Sequence, residues 1–229
     1  MNKIKDVENY LKNLLFSGEI TIEELENLSV RLRDELKQPK KKNTSSFSEV
    51  EVGWYAFAGG KFSPDSDAYP NCQGVVGWVN PDKNAPEGQR GLIITPDEVE
   101  MMWSDKYYET KIKDEYDGKG NTEKLIAYGK KCKINFPAAE WCVAYCKNGV
   151  RPGEGFMPAK EQLKRIVANR MIVNPALQKI DGSELSGWIW SSSEYSNYNA
   201  WGVYGSNGWL SNGGNKANYA FYVRCVLAF

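Results

Sequence analysis

The chain has 229 residues, of which 41% are hydrophobic and 25% charged, as in globular proteins and unlike disordered, collagenous or coiled-coil chains. Lysine and arginine together number 29, and so do aspartate and glutamate, so no excess of positive charge favours a nucleic-acid partner. The absence of histidine excludes histidine general bases, histidine-dependent triads and histidine metal ligands.

The first 37 residues predict a helical hairpin. Apolar residues recur at helical spacing on both sides of the Ser17-Gly18 break, and Thr21 with Glu24 forms a capping-box pattern that would begin the second helix. The apolar stripes must pack on each other, on the rest of the chain or on another subunit, so homo-oligomerisation through residues 1–37 is one possible arrangement. Residues 38–47 are polar and basic, which predicts a linker.

The N-terminal residues do not resemble a signal peptide, because Lys12 and Asn13 interrupt their longest apolar patch. No window approaches the roughly 18 apolar residues of a transmembrane helix, so we expect no membrane insertion. The five cysteines are odd in number and irregularly spaced, which excludes a complete disulfide framework. We therefore expect cytoplasmic synthesis and a protein that is either virion-associated or displayed by a non-Sec route.

Residues 48–229 predict one domain of the α+β class. The runs VEVGWYAFA, QGVVGWVN and RGLIIT are rich in strand-forming residues and are separated by turn-forming clusters. Thr95, Pro96 and Glu98 have the pattern of a helix start and predict a short helix that ends near Trp103. Further helices are predicted at 122–131, at 137–147 and from residue 158 onward.

The sequence contains only weak signals of a catalytic or metal-binding site. Cys142 and Cys146 are four residues apart, and on one helix they would share a face, either as a metal or redox pair or, as we favour, as buried apolar residues. Asp65 and Asp67 resemble the start of a calcium-binding loop, but the residues that follow lack the glycine and the distal glutamate of such a loop at the required offsets. We therefore expect no catalytic residue, no metal ligand and no cofactor.

The C-terminal segment has a different composition. Between Tyr195 and Tyr222 only Lys216 is fully charged at neutral pH, and Tyr, Trp, Asn, Ser and Gly fill most positions, as in antibody paratopes. Replacing the adenines of an AAC codon at random yields codons for all residues of this segment except Trp201, Trp209 and Lys216. These patterns favour a diversified binding surface over the alternative of irregular β structure with polar turns.

Five motifs in chain order resemble the C-type lectin-like variable proteins of diversity-generating retroelements, in their gut-bacterial and phage branch: AAEWCVAYCKNG, GFMPAKEQLKRI, NPALQKI, GWIWSSSEYSNYNAW and FYVRCVLAF. The resemblance covers roughly residues 50–229. It implies a C-type lectin-like fold with short strands and two or more helices, preceded here by the helical hairpin. In that family a reverse transcriptase copies a template with adenine-directed errors into the 3′ end of the gene, and the product binds a ligand and is not an enzyme.

The resemblance also implies a kind of ligand and assigns roles to residues. It implies a ligand that is a protein or a glycan on a cell surface, and it leaves a non-variable lectin-like domain or a formylglycine-generating-enzyme-like domain as alternatives. The implied constant framework consists of Trp190, Glu194, Trp201, Gly208, Lys216 and Arg224. The implied solvent-facing, ligand-binding variable positions, within about 195–222, are Tyr195, Ser196, Asn197, Tyr198, Asn199, Gly202, Tyr204, Ser206, Asn207, Trp209, Ser211, Asn212, Gly213, Gly214, Asn215, Ala217, Asn218, Tyr219, Ala220 and Phe221.

Overall fold

The structure is a computed structural model that describes Thr21 and residues 49–229. The chain divides into two units, Met1–Asn43 and Thr44–Phe229, and the described residues other than Thr21 belong to the second. Apart from Thr21, the predicted hairpin and linker lie outside the described residues. Among the residues described, no helix is long and apolar enough to cross a membrane.

The described part of the second unit has eight strands and four helices, so the predicted α+β class is confirmed. In chain order they are β1 (Tyr55–Phe57), β2 (Lys61–Ser63), β3 (Cys72–Val79), β4 (Gly91–Met101), α1 (Gly118–Cys132), α2 (Pro137–Ala144), α3 (Lys160–Ala168), α4 (Arg170–Gln178), β5 (Trp188–Glu194), β6 (Asn199–Tyr204), β7 (Leu210–Asn215) and β8 (Phe221–Ala228). The strands form one sheet in the order β2-β1-β3-β4-β8-β5-β6-β7. Neighbouring strands are antiparallel except β5 and β8, which are parallel and pair through Ile189 and Tyr222.

Helices cover parts of both faces of this sheet. Because successive residues of a strand point to opposite faces, β8 contributes Val223 and Cys225 to one hydrophobic core and Val226 to the other. The first core includes Leu125 of α1 and buried residues of α2, and its side of the sheet is called the α1–α2 face. The second includes Leu163 of α3 and buried residues of α4, and its side is called the α3–α4 face.

The helix predicted between Thr95 and Trp103 is wrong, because residues 91–101 form the single long strand β4. A register irregularity between Ile94 and Glu98 accommodates Pro96, which has no N–H to donate to a ladder. Beyond it Glu98 pairs with Arg224 of β8, whose buried guanidinium also donates to the Thr95 carbonyl at 2.9 Å. Pairing with a central strand therefore overrides the local capping pattern.

The other predicted helices are present with different bounds. α1 begins at Gly118 because the Asp117 carboxylate accepts a hydrogen bond from the Gly120 N–H at 2.8 Å. α2 begins at Pro137 as predicted but ends at Ala144, so the Asn148-Gly149 pair lies beyond its end. α4 was not predicted, because its nine residues include Pro175 and are too few to show a clear helical spacing of apolar residues.

Candidate functional site

The residues assigned to a constant framework are buried or half-buried. Trp190, Lys216 and Arg224 are 0% exposed and Glu194 is 1% exposed, whereas Trp201 and Gly208 are half-buried. Gly208 has a φ of +80°, a backbone conformation that favours glycine, in the turn between β6 and β7. These positions therefore have structural reasons to stay constant, whatever the chain binds.

Lys216 and Glu194 form a fully buried ion pair. The Lys216 ammonium lies 2.5 Å from Glu194 Oε1 and donates to the Tyr108 carbonyl at 2.9 Å. The Glu194 carboxylate also accepts from the backbone N–H groups of Thr110 and Lys111, at 2.8 and 2.7 Å. Burial lowers the pKa of the Lys216 ammonium, and the hydrogen bond and charge of Glu194 oppose that shift. Both charges have several hydrogen-bond partners, so the pair can exist without water.

Most positions predicted to vary are exposed or half-exposed. Tyr195, Tyr198, Trp209 and Tyr219 are between 45% and 70% exposed, which is unusual for large aromatic side chains. Two of the positions contradict the expectation of solvent exposure, since Gly202 and Gly214 are buried.

The two buried glycines differ in the space around them. A Cβ at Gly214 would lie 2.4 Å from the Trp190 ring, so no side chain fits there unless the ring moves. At Gly202 the closest atom would belong to the Phe221 ring, at 3.2 Å, and a small shift of that ring would accommodate an alanine. Gly214 therefore belongs with the framework.

One group of the predicted positions comes together at an open depression of about 430 Å³, called here the aromatic depression. It is lined by Trp188, Ser211, Gly213, Asn218, Tyr219, Ala220 and Phe221. The Phe221 ring stacks on the buried Trp190 ring at 4.2 Å, and the Trp188 ring packs against Tyr204 at 5.2 Å. The depression lies toward the α1–α2 face, since Phe221 packs against the core of that face.

Trp188 is a residue of this site that the sequence analysis missed. It stands two residues before Trp190 in the run GWIW, so on a strand both indoles point to the same side. This spacing was the signal in the sequence that Trp188 and Trp190 share a face of the strand. It did not show that Trp188 would line a depression, because that depends on which strands lie beside it.

A turn after β7 places Asn218 and Tyr219 beside the depression. The Asn215 side-chain oxygen accepts from the Asn218 N–H at 3.1 Å, and the Asn215 carbonyl accepts from the Tyr219 N–H at 3.1 Å. Asn199 of β6 pairs with Asn215, and the Tyr198 carbonyl accepts from the Lys216 N–H at 3.0 Å. The framework lysine thus fixes the backbone between positions that are predicted to vary.

Tyr195 and Trp209 lie at other places on the domain. The Tyr195 ring packs edge-on against Trp201 at 5.3 Å, and the Lys160 ammonium of α3 lies 4.5 Å from the centre of the Trp201 ring, which places both aromatic residues toward the α3–α4 face. Trp209 is 70% exposed at the end of the β6–β7 hairpin. The predicted variable positions therefore do not form one continuous face.

The cysteine and acidic side chains of the described residues are the remaining candidates for metal binding and catalysis. Within them, no group of three or more cysteine, aspartate or glutamate side chains could hold a metal ion. Cys142 is fully buried, whereas Cys146 lies beyond the end of α2 and is exposed, so the prediction that both are buried on one helix face is wrong for Cys146. Burial, with the nearby Cys225 thiol, raises the pKa of Cys142 well above its ordinary value, which disfavours the reactive thiolate.

Comparison with known proteins bears on the fold. No family model matches the chain, and no curated protein matches it. A crystal structure of a fimbrial protein from Bacteroides ovatus is similar, with a TM-score of 0.64 and 19% sequence identity. The similarity covers 79% of this chain and 49% of the fimbrial protein, so this chain spans about half of that protein's length. At this identity the similarity establishes a shared fold only.

Proposed function

We propose that this chain is a ligand-binding protein of C-type lectin-like fold whose C-terminal segment, about 195–222, is diversified by adenine-directed retroelement mutagenesis. Its ligand is a protein or a glycan on a cell surface, and it performs no catalysis. The aromatic depression and the adjoining Tyr198 and Asn215 form the principal contact surface.

The observation that supports this function best is the separation of buried and exposed positions within one short segment. Lys216 is completely buried between Asn215 and Ala217, both of which are half-exposed. Trp190, Glu194 and Arg224, which flank the segment, are buried as well. Substitutions at exposed positions away from core and caps usually change stability by less than about 0.5 kcal/mol, so the exposed positions can vary while the framework preserves the fold.

The exposed chemistry of the segment is that of a recognition surface. Tyrosine and tryptophan provide large rigid contact areas, and asparagine and serine provide adaptable hydrogen bonds. The only fully charged residue between Tyr195 and Tyr222 is buried and paired, so the exposed residues there carry no ionised side chain. The cores of protein interfaces are similarly rich in aromatic residues and poor in charge.

The enzymatic alternative has less support. A formylglycine-generating-enzyme-like site needs a pair of reactive cysteines, but Cys142 is buried and Cys146 is exposed beyond the end of its helix. The similar fold of a protein described as fimbrial also agrees better with binding than with catalysis.

Sequencing the 3′ part of the gene in a population of the source organism, with its flanking DNA, tests the proposal. We expect amino-acid replacements concentrated at the exposed positions between Tyr195 and Phe221, at codons whose template copy contains adenine. A reverse-transcriptase gene and a near-repeat of the segment should lie nearby.

Constant positions within the same reads are the internal control. Trp190, Glu194, Gly214 and Lys216 should remain unchanged in cells that differ at Tyr198 or Tyr219. Mostly silent changes spread evenly over the gene, with no template nearby, would contradict diversification and favour a non-variable lectin-like domain.

A further inference from the structure

Residues 102–117 connect β4 to α1 without regular secondary structure and run beside the segment that is predicted to vary. Two of the three exposed tyrosines of this connection are adjacent, Tyr107, which is 40% exposed, and Tyr108, which is 48% exposed. Neither belongs to the variable positions or to the framework assigned from the sequence.

The backbone of this connection is fixed by the buried ion pair. The Lys216 ammonium binds the Tyr108 carbonyl, and the Glu194 carboxylate binds the N–H groups of Thr110 and Lys111. Trp103, at the start of the connection, is completely buried, and the centre of its ring lies 4.7 Å from the Lys216 ammonium. Two framework residues thus hold a second, separate part of the chain against the variable segment.

Tyr107 contacts two positions that are predicted to vary. Its hydroxyl donates to the Asn215 side-chain oxygen at 2.9 Å. Its ring packs edge-on against the ring of Tyr198, with centroids 5.3 Å apart. Since Asn215 also binds the N–H of Asn218, which lines the aromatic depression, Tyr107 extends the same surface beyond the variable segment.

We propose that Tyr107 is a constant ligand-contacting residue of this surface, and that the ligand is a protein that presents a patch without exposed ionised groups to it. This inference rests on the proposed function. Tyrosine contributes a rigid ring and one hydroxyl, so it can contact many different partners while its neighbours change. Because the connection is fixed by Glu194 and Lys216, Tyr107 keeps its position as Tyr198 and Asn215 vary.

A library of the full chain tests the inference. Tyr198, Ser211, Asn215, Asn218 and Tyr219 are randomised together, the variants are displayed on yeast, and binders are selected against two unrelated probe proteins, streptavidin and maltose-binding protein. Tyr107→Ala is then introduced into independent binders of each probe, and their dissociation constants are measured. We expect Tyr107→Ala to weaken most of them by about tenfold or more, as truncation of a central aromatic contact does.

Tyr116→Ala is the matched control. Tyr116 lies in the same connection and is 59% exposed, but its ring is near Arg165 of α3, with 5.5 Å between the guanidinium carbon and the ring centre. Its removal should change the dissociation constants by less than about twofold, because it is a surface change away from the contact. Both variants should retain the melting temperature of their parent.

Clones in which Asn215 has been replaced distinguish a direct contact between Tyr107 and the probe protein from a role of Tyr107 in positioning Asn215. They have already lost the hydrogen bond to Tyr107, so a role limited to holding Asn215 predicts that Tyr107→Ala has no effect in them, whereas direct contact predicts the same loss as in the other clones. Binders that tolerate Tyr107→Ala as well as Tyr116→Ala would overturn the role of Tyr107 and leave the binding function in place. Failure to select any binder would overturn the proposed function and this inference with it.

Discussion

Lys216 is a charged residue without solvent contact in a segment whose neighbouring side chains are largely exposed. In the sequence it is the only full charge between Tyr195 and Tyr222, and its place in the framework is what the family resemblance implies. Its partner could not be predicted, because Glu194 lies 22 residues away and the carbonyl of Tyr108 lies 108 residues away. The burial of Lys216 and its pairing with Glu194 therefore required the fold.

Removing the lysine charge should destabilise the domain strongly. In Lys216→Met the Glu194 carboxylate stays buried without its counter-ion, and losing one partner of a buried pair costs about 3–5 kcal/mol. Equilibrium unfolding in urea measures the loss. The double variant Lys216→Met with Glu194→Gln serves as the comparison and should recover part of the stability, since no unpaired charge remains. A loss below about 1 kcal/mol in the single variant would show that the pair is not buried as described.

At the scale of the elements, the strand β7 shows how two adjacent glycines can have opposite roles. Gly213 is exposed and lines the aromatic depression, whereas Gly214 is buried under the Trp190 ring. The Trp190 indole N–H donates to the Met101 carbonyl at 2.9 Å, which restrains any movement of that ring. The alternation of a strand explains the difference, but the sequence LSNGGN does not show which glycine faces inward.

Alanine substitutions at these two glycines form a matched pair. Gly214→Ala should lower the free energy of unfolding by about 1–3 kcal/mol, because the added methyl group overlaps the Trp190 ring. Gly213→Ala should be nearly neutral, since the nearest atom to its Cβ would be the Ser211 hydroxyl oxygen at 3.4 Å. Thermal unfolding of both variants checks the difference. Equal melting temperatures would contradict the assignment of Gly214 to the framework.

Elements were predictable where the pattern was local. The strands β1 and β3, the first half of β4 and the Pro137 start of α2 follow from runs and caps in the sequence. The failure at Thr95, Pro96 and Glu98 arose because pairing with β8, well over a hundred residues later, outweighs a capping pattern. Trp188 and Tyr107 were not predicted for the same reason, because their places beside residues 195–222 depend on contacts with distant strands and loops.

At the scale of the whole molecule, two buried thiols lie where α2 packs on β8. Cys142 and Cys225 are both 0% exposed, and the Cys225 thiol donates to the Cys142 carbonyl at 3.6 Å. Neither can meet a reagent until α2 separates from the sheet. Their accessibility therefore reports on the opening of the domain as a whole.

Thiol labelling under native conditions should follow two separate rates. We expect the exposed Cys146 to react rapidly with a maleimide, while Cys142 and Cys225 react only as fast as the domain unfolds. Mass spectrometry of digested samples at successive times distinguishes the sites, and a low concentration of urea should accelerate the buried pair selectively. Rapid native labelling of Cys142 would contradict its burial and would restore the case for a reactive cysteine.

The position of β8 has a further consequence for any sequence change in the segment that precedes it. β8 directly follows the segment that is predicted to vary, yet in the sheet it lies between β4 and β5. Among the described strands, it alone connects the half formed by β1–β4 to the half formed by β5–β7. A frameshift or premature stop anywhere within residues 195–222 removes β8, so the chain loses the strand that contributes to both hydrophobic cores and cannot close them. Under the proposed diversification, folding would therefore select full-length, in-frame copies, because truncated chains would stay unfolded and be degraded by cellular proteases.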